Sequence, residues 1–226
     1  MTAKYVGAGD LKLAGVWSHF ARADEPGHPA NAAQRSSYEE ALAVVTDSGM
    51  KPEVRHLSNS AATLVDPAAR YDLVRTGIAL YGLSPDPTTL GNGAKFDLRP
   101  AMSLTARLLL VKDVPAGVAV SYGGTAITKR ATTVGVVPMG YADGVPRHGS
   151  NLLVVGFDGR IVPVLGRICM DQFVIDLGPN SNAKAGDEVT LFGNDGPSVD
   201  AWASASGTIN YEIVTRLGPR VLREYR

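Results

Sequence analysis

The spacing of apolar residues changes near residue 95, and this change most constrains what the chain can fold into. Before it, short apolar stretches alternate with helical patterns. Leu13 to Phe20 reads as a buried strand. Beyond Pro26 and Pro29, Tyr38, Leu42 and Val45 recur at helical spacing, and Gly49 followed by Pro52 supplies the stop. Val54 to Leu57 is the next strand, Ser58-Asn59-Ser60 caps a short helix over Ala61 to Val65, and Leu73 to Tyr81 is strand-like again. Repeated βα units imply a parallel α/β sheet. Three or so units are too few for a closed eight-stranded barrel, which takes about 250 residues. The expectation is a partial barrel over residues 1–95 with an open edge for another segment to cover; a small open α/β domain complete in itself is the alternative.

After Gly91-Asn92-Gly93 the helical period fades, and Met102, Leu104, Ala106 and Leu108 alternate with polar residues as in a half-buried strand. Turn signals then punctuate short β-rich runs. Asp158-Gly159, between Leu152 to Phe157 and Arg160 to Leu165, is a strong hairpin signal because both residues tolerate the positive φ of a type I′ turn. Residues 96–226 read as a mainly antiparallel β domain with one short helix near Val199 to Ser206.

Twenty-two basic residues balance 22 acidic ones, so no general charge draws the chain to nucleic acid or an anionic membrane, and a small-molecule partner is favoured. No apolar run approaches the roughly 20 residues that span a bilayer, and the first residues lack the apolar core of a signal peptide. Cys169, the single cysteine, reads as a core thiol and has no internal disulfide partner, which fits a reducing compartment such as the cytoplasm and would also suit a secreted protein without disulfides. The sequence holds no zinc pattern, P-loop, dinucleotide fingerprint or nucleophile elbow.

Several islands mix glycine with large polar groups. His19 ends a strand, the end that faces the active site in α/β barrels. Arg75 lies in an apolar stretch, where a guanidinium must be paired; a buried ion pair is the simplest reading. Ser58-Asn59-Ser60 opens a helix and, with Gly77-Ile78, can cradle a phosphate, although it is also an ordinary cap. Tyr122 stands against Gly123 and Gly124, whose missing side chains permit close approach.

Taken in order, eight phrases resemble alanine racemases over essentially the whole chain: Trp17-Ser18-His19-Phe20-Ala21, Asn59-Ser60-Ala61-Ala62, Val74 to Gly82, Leu98-Arg99-Pro100-Ala101-Met102, Val120-Ser121-Tyr122-Gly123, Gly140-Tyr141-Ala142-Asp143-Gly144, Gly166 to Gln172, and Gly207 to Glu212. The resemblance implies an eight-stranded α/β barrel holding pyridoxal phosphate, a C-terminal β domain, and a homodimer whose active sites are completed across its interface. It implies that Tyr122 is the catalytic tyrosine, supported by His19 and Arg75, with Arg75 at the pyridine nitrogen. Ser60, Gly77, Ile78 and Tyr211 match phosphate-site positions, Met170 a substrate contact, and Tyr141, Arg147 and Arg167 the substrate entryway. The implied activity is interconversion of L- and D-alanine, supplying D-alanine for peptidoglycan.

Racemisation needs one proton removed from a face of Cα and another delivered to the opposite face, so two acid/base groups must flank the reacting carbon. Tyrosine, with an unperturbed pKa of about 10, keeps its proton at neutral pH, so a catalytic one needs cationic neighbours. The family's second base is a lysine in the phrase Lys-Ala-Asn-x-Tyr-Gly-His-Gly; Lys4, Lys12, Lys51, Lys95, Lys112, Lys129 and Lys184 do not sit in it. Gly218 to Arg226 resembles a natural family terminus, which places the expected loss at the front. These residues alone are expected to be inactive and to bind the cofactor weakly at best. The alternatives are a non-catalytic dimerisation module, a racemase of another small amino acid such as serine, and a decarboxylase of similar architecture. Decarboxylases use an acidic residue at the pyridine nitrogen, and Arg75 argues against one.

Overall fold

A computed structural model describes residues 2–225. The chain divides into two compact units between Ala101 and Met102. Residues 96–101, beyond the change in pattern near residue 95, are held in the first unit by bonds such as Leu98 N–H to the Gly93 carbonyl and Ala101 N–H to the Tyr81 carbonyl.

The first unit begins with a short helix, α1 (Thr2–Gly7), and a strand, β1 (Gly15–Trp17), followed by helix α2 (Pro29–Asp47). Strand β2 (Val54–His56) pairs in parallel with β1, and helix α3 (Ser60–Val65) follows. His28 caps α2 by accepting from the Ala30 amide on Nδ1 at 3.1 Å, and Pro29, whose missing N–H costs nothing in the first turn, starts the helix. Tyr38 turns inward from α2 against Phe20, Leu57, Ala61 and Ala62, and its hydroxyl donates to the Val16 carbonyl at 2.8 Å.

The first strand is shorter than its apolar run, and Trp17 is 64% exposed. It stacks on His56 and carries the Arg75 guanidinium 5.3 Å from its ring. Leu73 to Tyr81 does not form the expected strand. Among the described residues it is laid beside β2 by the Asp72 N–H just before it, on the Arg55 carbonyl, and by its own Arg75 N–H on the Ser58 carbonyl, and then coils into a 3-10 turn, Ile78–Tyr81. Leu73, Val74, Leu80 and Tyr81 are exposed, so the apolar run that suggested a buried strand buries only Ile78 deeply.

The second unit is built on a seven-stranded antiparallel sheet. Its strands are β3 (Leu104–Arg107), β4 (Leu110–Val114), β7 (Thr132–Val137), β8 (Val154–Phe157), β9 (Arg160–Leu165), β10 (Phe173–Gly178) and β11 (Glu188–Phe192), in the order β3-β11-β8-β9-β10-β7-β4. A separate hairpin joins β5 (Ala119–Val120) to β6 (Ala126–Ile127). Flat, the sheet would hold β3 and β4 roughly 29 Å apart at the usual strand spacing. Yet they are consecutive in the chain, linked by Leu108 and Leu109, which span about 11 Å at most. The sheet must therefore curl. Leu108 donates to the Asp187 carbonyl on one edge and Leu109 to the Val136 carbonyl on the other, which closes the seam.

Alternation along β10 turns Phe173, Ile175 and Leu177 into the core with Val137, Val155 and Leu191. Buried Thr132 and Thr133 donate to carboxylates of neighbouring strands, Asp176 and Asp113. Asp158 (φ 49) and Gly159 (φ 68) form the expected tight turn, with Phe157 opposite Arg160. Helix α4 (Val199–Ala205) matches the expected short helix, capped by Ser198, and places Trp202 in the core with its indole N–H on the Val154 carbonyl at 2.9 Å. A second helix, α5 (Asn210–Thr215), carries Tyr211 and was not anticipated; its cap position is Ile209, which gives no sequence signal. Among the described residues, no helix is long and apolar enough to cross a membrane.

Candidate functional site

In the first unit the site is organised by Arg75. Among the described residues no carboxylate pairs with it, so the expected ion pair is replaced by a different device. One terminal nitrogen lies 2.6 Å from His56 Nδ1; the other donates to the Ser18 carbonyl at 2.6 Å and lies 3.3 Å from both His19 Nδ1 and the Leu57 carbonyl. Ser18 and His19 follow β1, His56 ends β2 and Leu57 follows it, so the guanidinium clamps the carboxyl ends of two parallel strands together. Guanidinium only donates, so His56, 2.6 Å away, presents its Nδ1 lone pair and carries its proton on Nε2. Burial and the nearby Arg75 charge both push the His56 pKa below its ordinary value, in keeping with an acceptor role.

His19 is thus brought to within 3.3 Å of Arg75. Its Nε2 lies 3.5 Å from the Asn59 amide, and its backbone carbonyl is fixed by Gln34 at 2.6 Å. His56, not singled out from the sequence, is Arg75's tightest side-chain partner. The available signal was that it ends a strand as His19 does, at the same edge. The guanidinium Nε–H has no acceptor among the described residues and remains able to donate.

Ser60, at the start of α3, is buried beside the turn after Arg75. Its hydroxyl oxygen accepts from the Gly77 amide at 2.8 Å and, at 3.5 Å, from the Ala79 amide. The Ile78 amide, next along, takes no acceptor among the described residues. A Cβ on Gly77 would meet nothing within 4 Å, so the ground beside this turn is open. Amides converging with a hydroxyl can hold an anionic phosphate.

In the second unit one segment, Gly166 to Asp171, gathers most of the other candidates. The Tyr122–Gly124 turn lies on it: the Ser121 hydroxyl donates to the Arg167 carbonyl at 2.6 Å, and the Arg167 guanidinium rests 3.2 Å from where a Gly123 side chain would begin. Tyr141 and Ala142 donate their amides to the Cys169 and Met170 carbonyls at 3.0 and 2.8 Å. Ser150 accepts from the Ile168 amide while donating to the Arg147 carbonyl, which ties in Arg147. Cys169 is half-buried, 3.4 Å from the Ser121 hydroxyl, rather than enclosed in the core. Asp143 is buried and anchors the Gly140 amide at 2.9 Å while pairing with Arg220 at 2.8 Å. Tyr211 lies on α5.

Two family models match the chain: the alanine racemase N-terminal domain over residues 2–85 and the alanine racemase C-terminal domain over residues 101–225. The chain belongs to the alanine racemase family. The alanine racemase of Frankia casuarinae is 54% identical over 220 residues, covering 96% of this chain and 57% of that protein. The crystal structure of the alanine racemase from D-cycloserine-producing Streptomyces lavendulae superposes with a TM-score of 0.96 at 50% identity, covering 100% of this chain and 59% of that one. That of Bacillus anthracis, solved with bound L-Ala-P, has a TM-score of 0.85 at 37% identity, covering 100% and 59%. The chain thus spans somewhat over half the length of the alanine racemases it matches. Their shared name favours the alanine reading over a serine racemase or a non-catalytic module.

Proposed function

We propose that these residues carry the tyrosine half of a two-base, pyridoxal-phosphate-dependent alanine racemase. The observation that carries the reading is the Arg75 clamp, a guanidinium held by the His56 Nδ1 lone pair and the Ser18 carbonyl beside His19, with its Nε–H still open. The residues fit the cofactor's two polar ends. Ser60 with the Gly77 and Ile78 amides, and Tyr211, would hold its phosphate; Arg75 would donate to the pyridine nitrogen. When bound, the group supplies the electron sink that lets a Cα proton leave. A guanidinium that stays charged disfavours protonation of that nitrogen and moderates the sink, which limits side reactions. The Tyr122 hydroxyl moves the proton on one face of the substrate Cα, with His19 and Arg75 supporting it. Met170 contacts substrate, and Tyr141, Arg147 and Arg167 border its approach.

Tyr122 is 72% exposed and Met170 59% exposed on their turns, as side chains that complete a site on a second copy would be. The working unit on this reading is a homodimer in the cytoplasm, with L- and D-alanine as substrate and product and peptidoglycan synthesis drawing on the D form. The family's lysine phrase is not among these 226 residues, so a polypeptide of these residues alone leaves alanine unracemised. The test is a fusion placing the uncovered front portion of the Frankia casuarinae enzyme ahead of residue 2. Tyr122→Phe in that fusion should lower turnover at least a thousandfold while cofactor absorbance persists; racemisation at the parent rate would end the assignment.

A further inference from the structure

The residue before Tyr122 holds a backbone conformation that only glycine adopts readily. Ser121 sits at φ 61, ψ −176, with Cβ crowded against the chain. Such a conformation persists only where surrounding contacts over-determine it, and here they are specific. The Ser121 hydroxyl donates to the Arg167 carbonyl at 2.6 Å. Gly166, at φ 75, lies so close that a Cβ there would fall 2.8 Å from the Ser121 Cβ and 2.6 Å from the Val120 carbonyl oxygen.

A second residue of positive φ locks the same junction from the other side. Asn151, at φ 62, accepts from the Gly166 amide on Oδ1 at 2.7 Å and donates from Nδ2 to the Thr125 hydroxyl at 3.1 Å. One side chain therefore bridges the far end of the tyrosine turn and the segment on which its near end is pinned. Relaxing either residue frees the turn to rotate about its short β5–β6 stem.

We propose that Ser121 and Asn151 are positioning residues that hold the Tyr122 turn in a strained conformation, fixing where the phenol points. The proposal rests on the assignment of Tyr122 as a proton-transfer group but is read out separately. With 3-fluorotyrosine at position 122 of the 226-residue chain, the parent should give one narrow fluorine resonance. Ser121→Ala and Asn151→Ala should shift it and broaden it at least twofold. Asn151→Asp keeps an acceptor for the Gly166 amide, lets the Thr125 hydroxyl turn to donate, and should restore the narrow line.

In the fusion enzyme both alanine variants should lose at least tenfold in kcat with KM within twofold, and Asn151→Asp should recover most of it. A parent-like fluorine line together with kcat within twofold in both alanine variants overturns the proposal. If Ser121→Ala does not fold, the Asn151→Ala and Asn151→Asp pair decides by the same criteria. Retained activity in Tyr122→Phe would sink the catalytic assignment of the tyrosine, while the fluorine line still decides the clamp.

Discussion

Gly140→Ala tests whether the turn bearing Tyr141 is truly seated on the Cys169–Asp171 backbone. A Cβ at Gly140 would lie 2.3 Å from the Cys169 carbonyl oxygen, 2.4 Å from that of Met170 and 2.5 Å from the Asp171 nitrogen. All three are main-chain atoms, so no side chain can swing aside. Reaching an ordinary contact of 3.4 Å requires the segments to part by 3.4 − 2.3 = 1.1 Å. The Tyr141 and Ala142 amide bonds, now 3.0 and 2.8 Å, would open to near 4 Å and be lost. Two bonds at about 1 kcal/mol net each, with about 1–3 kcal/mol for overpacking, give roughly 3–5 kcal/mol. Gly140 already has negative φ, so the cost is purely steric. Trp202, buried in the same unit, reports the unfolding by fluorescence. At the usual dependence of stability on urea, the midpoint should fall by roughly 2 M. A midpoint within about 0.3 M of the parent would refute the seating argument.

Gly159→Ala is the complementary case: nothing lies within 4 Å, so only the φ of 68° resists, and the same assay should show a loss of about 1 kcal/mol. Asp72, gripped by the Arg55 guanidinium and amide, has its pKa drawn down to about 2. A carboxylate depressed in this way stabilises above its unfolded pKa and loses that contribution as pH falls through the folded value. First-unit stability should therefore decline between pH 4 and 2, and Asp72→Asn should flatten that decline in urea midpoints measured across the range. His56 titrates below its ordinary 6.5 through burial and then Arg75. The unfolded chain then binds the proton first, so stability is full above pH 6.5 and falls as pH drops toward the folded value; a His56 titration by NMR with a midpoint at or above 6.5 would contradict this.

Local pattern revealed much of the second unit. Alternation from Met102 to Leu108, the Asp158-Gly159 hairpin and the helix at Val199 are set by side-chain period and turn chemistry, both of which are written within a few residues. The same local logic failed at Leu73 to Tyr81. An apolar run carries no information about whether a ladder partner lies on each side, and among the described residues this segment makes one backbone–backbone bond to the β2 side, from the Arg75 amide to the Ser58 carbonyl. Arg75 shows the limit from another direction. Its need for partners was legible, because a guanidinium in an apolar stretch is costly. That the partners are imidazole nitrogens and strand-end carbonyls rather than a carboxylate depends on which strand ends meet.

By itself, the sequence determined that a parallel α/β portion precedes an antiparallel one, and its ordered phrases carried the resemblance to alanine racemases. Tertiary structure alone decided that Leu108 and Leu109 close the sheet, that His56 joins Arg75, and that Gly166 to Asp171 gathers Tyr122, Tyr141 and Arg147. The reason is one of range. Period and turn preference act between neighbours in the chain, whereas these contacts join residues tens of positions apart, and only burial of the whole core offsets the entropy of bringing them together.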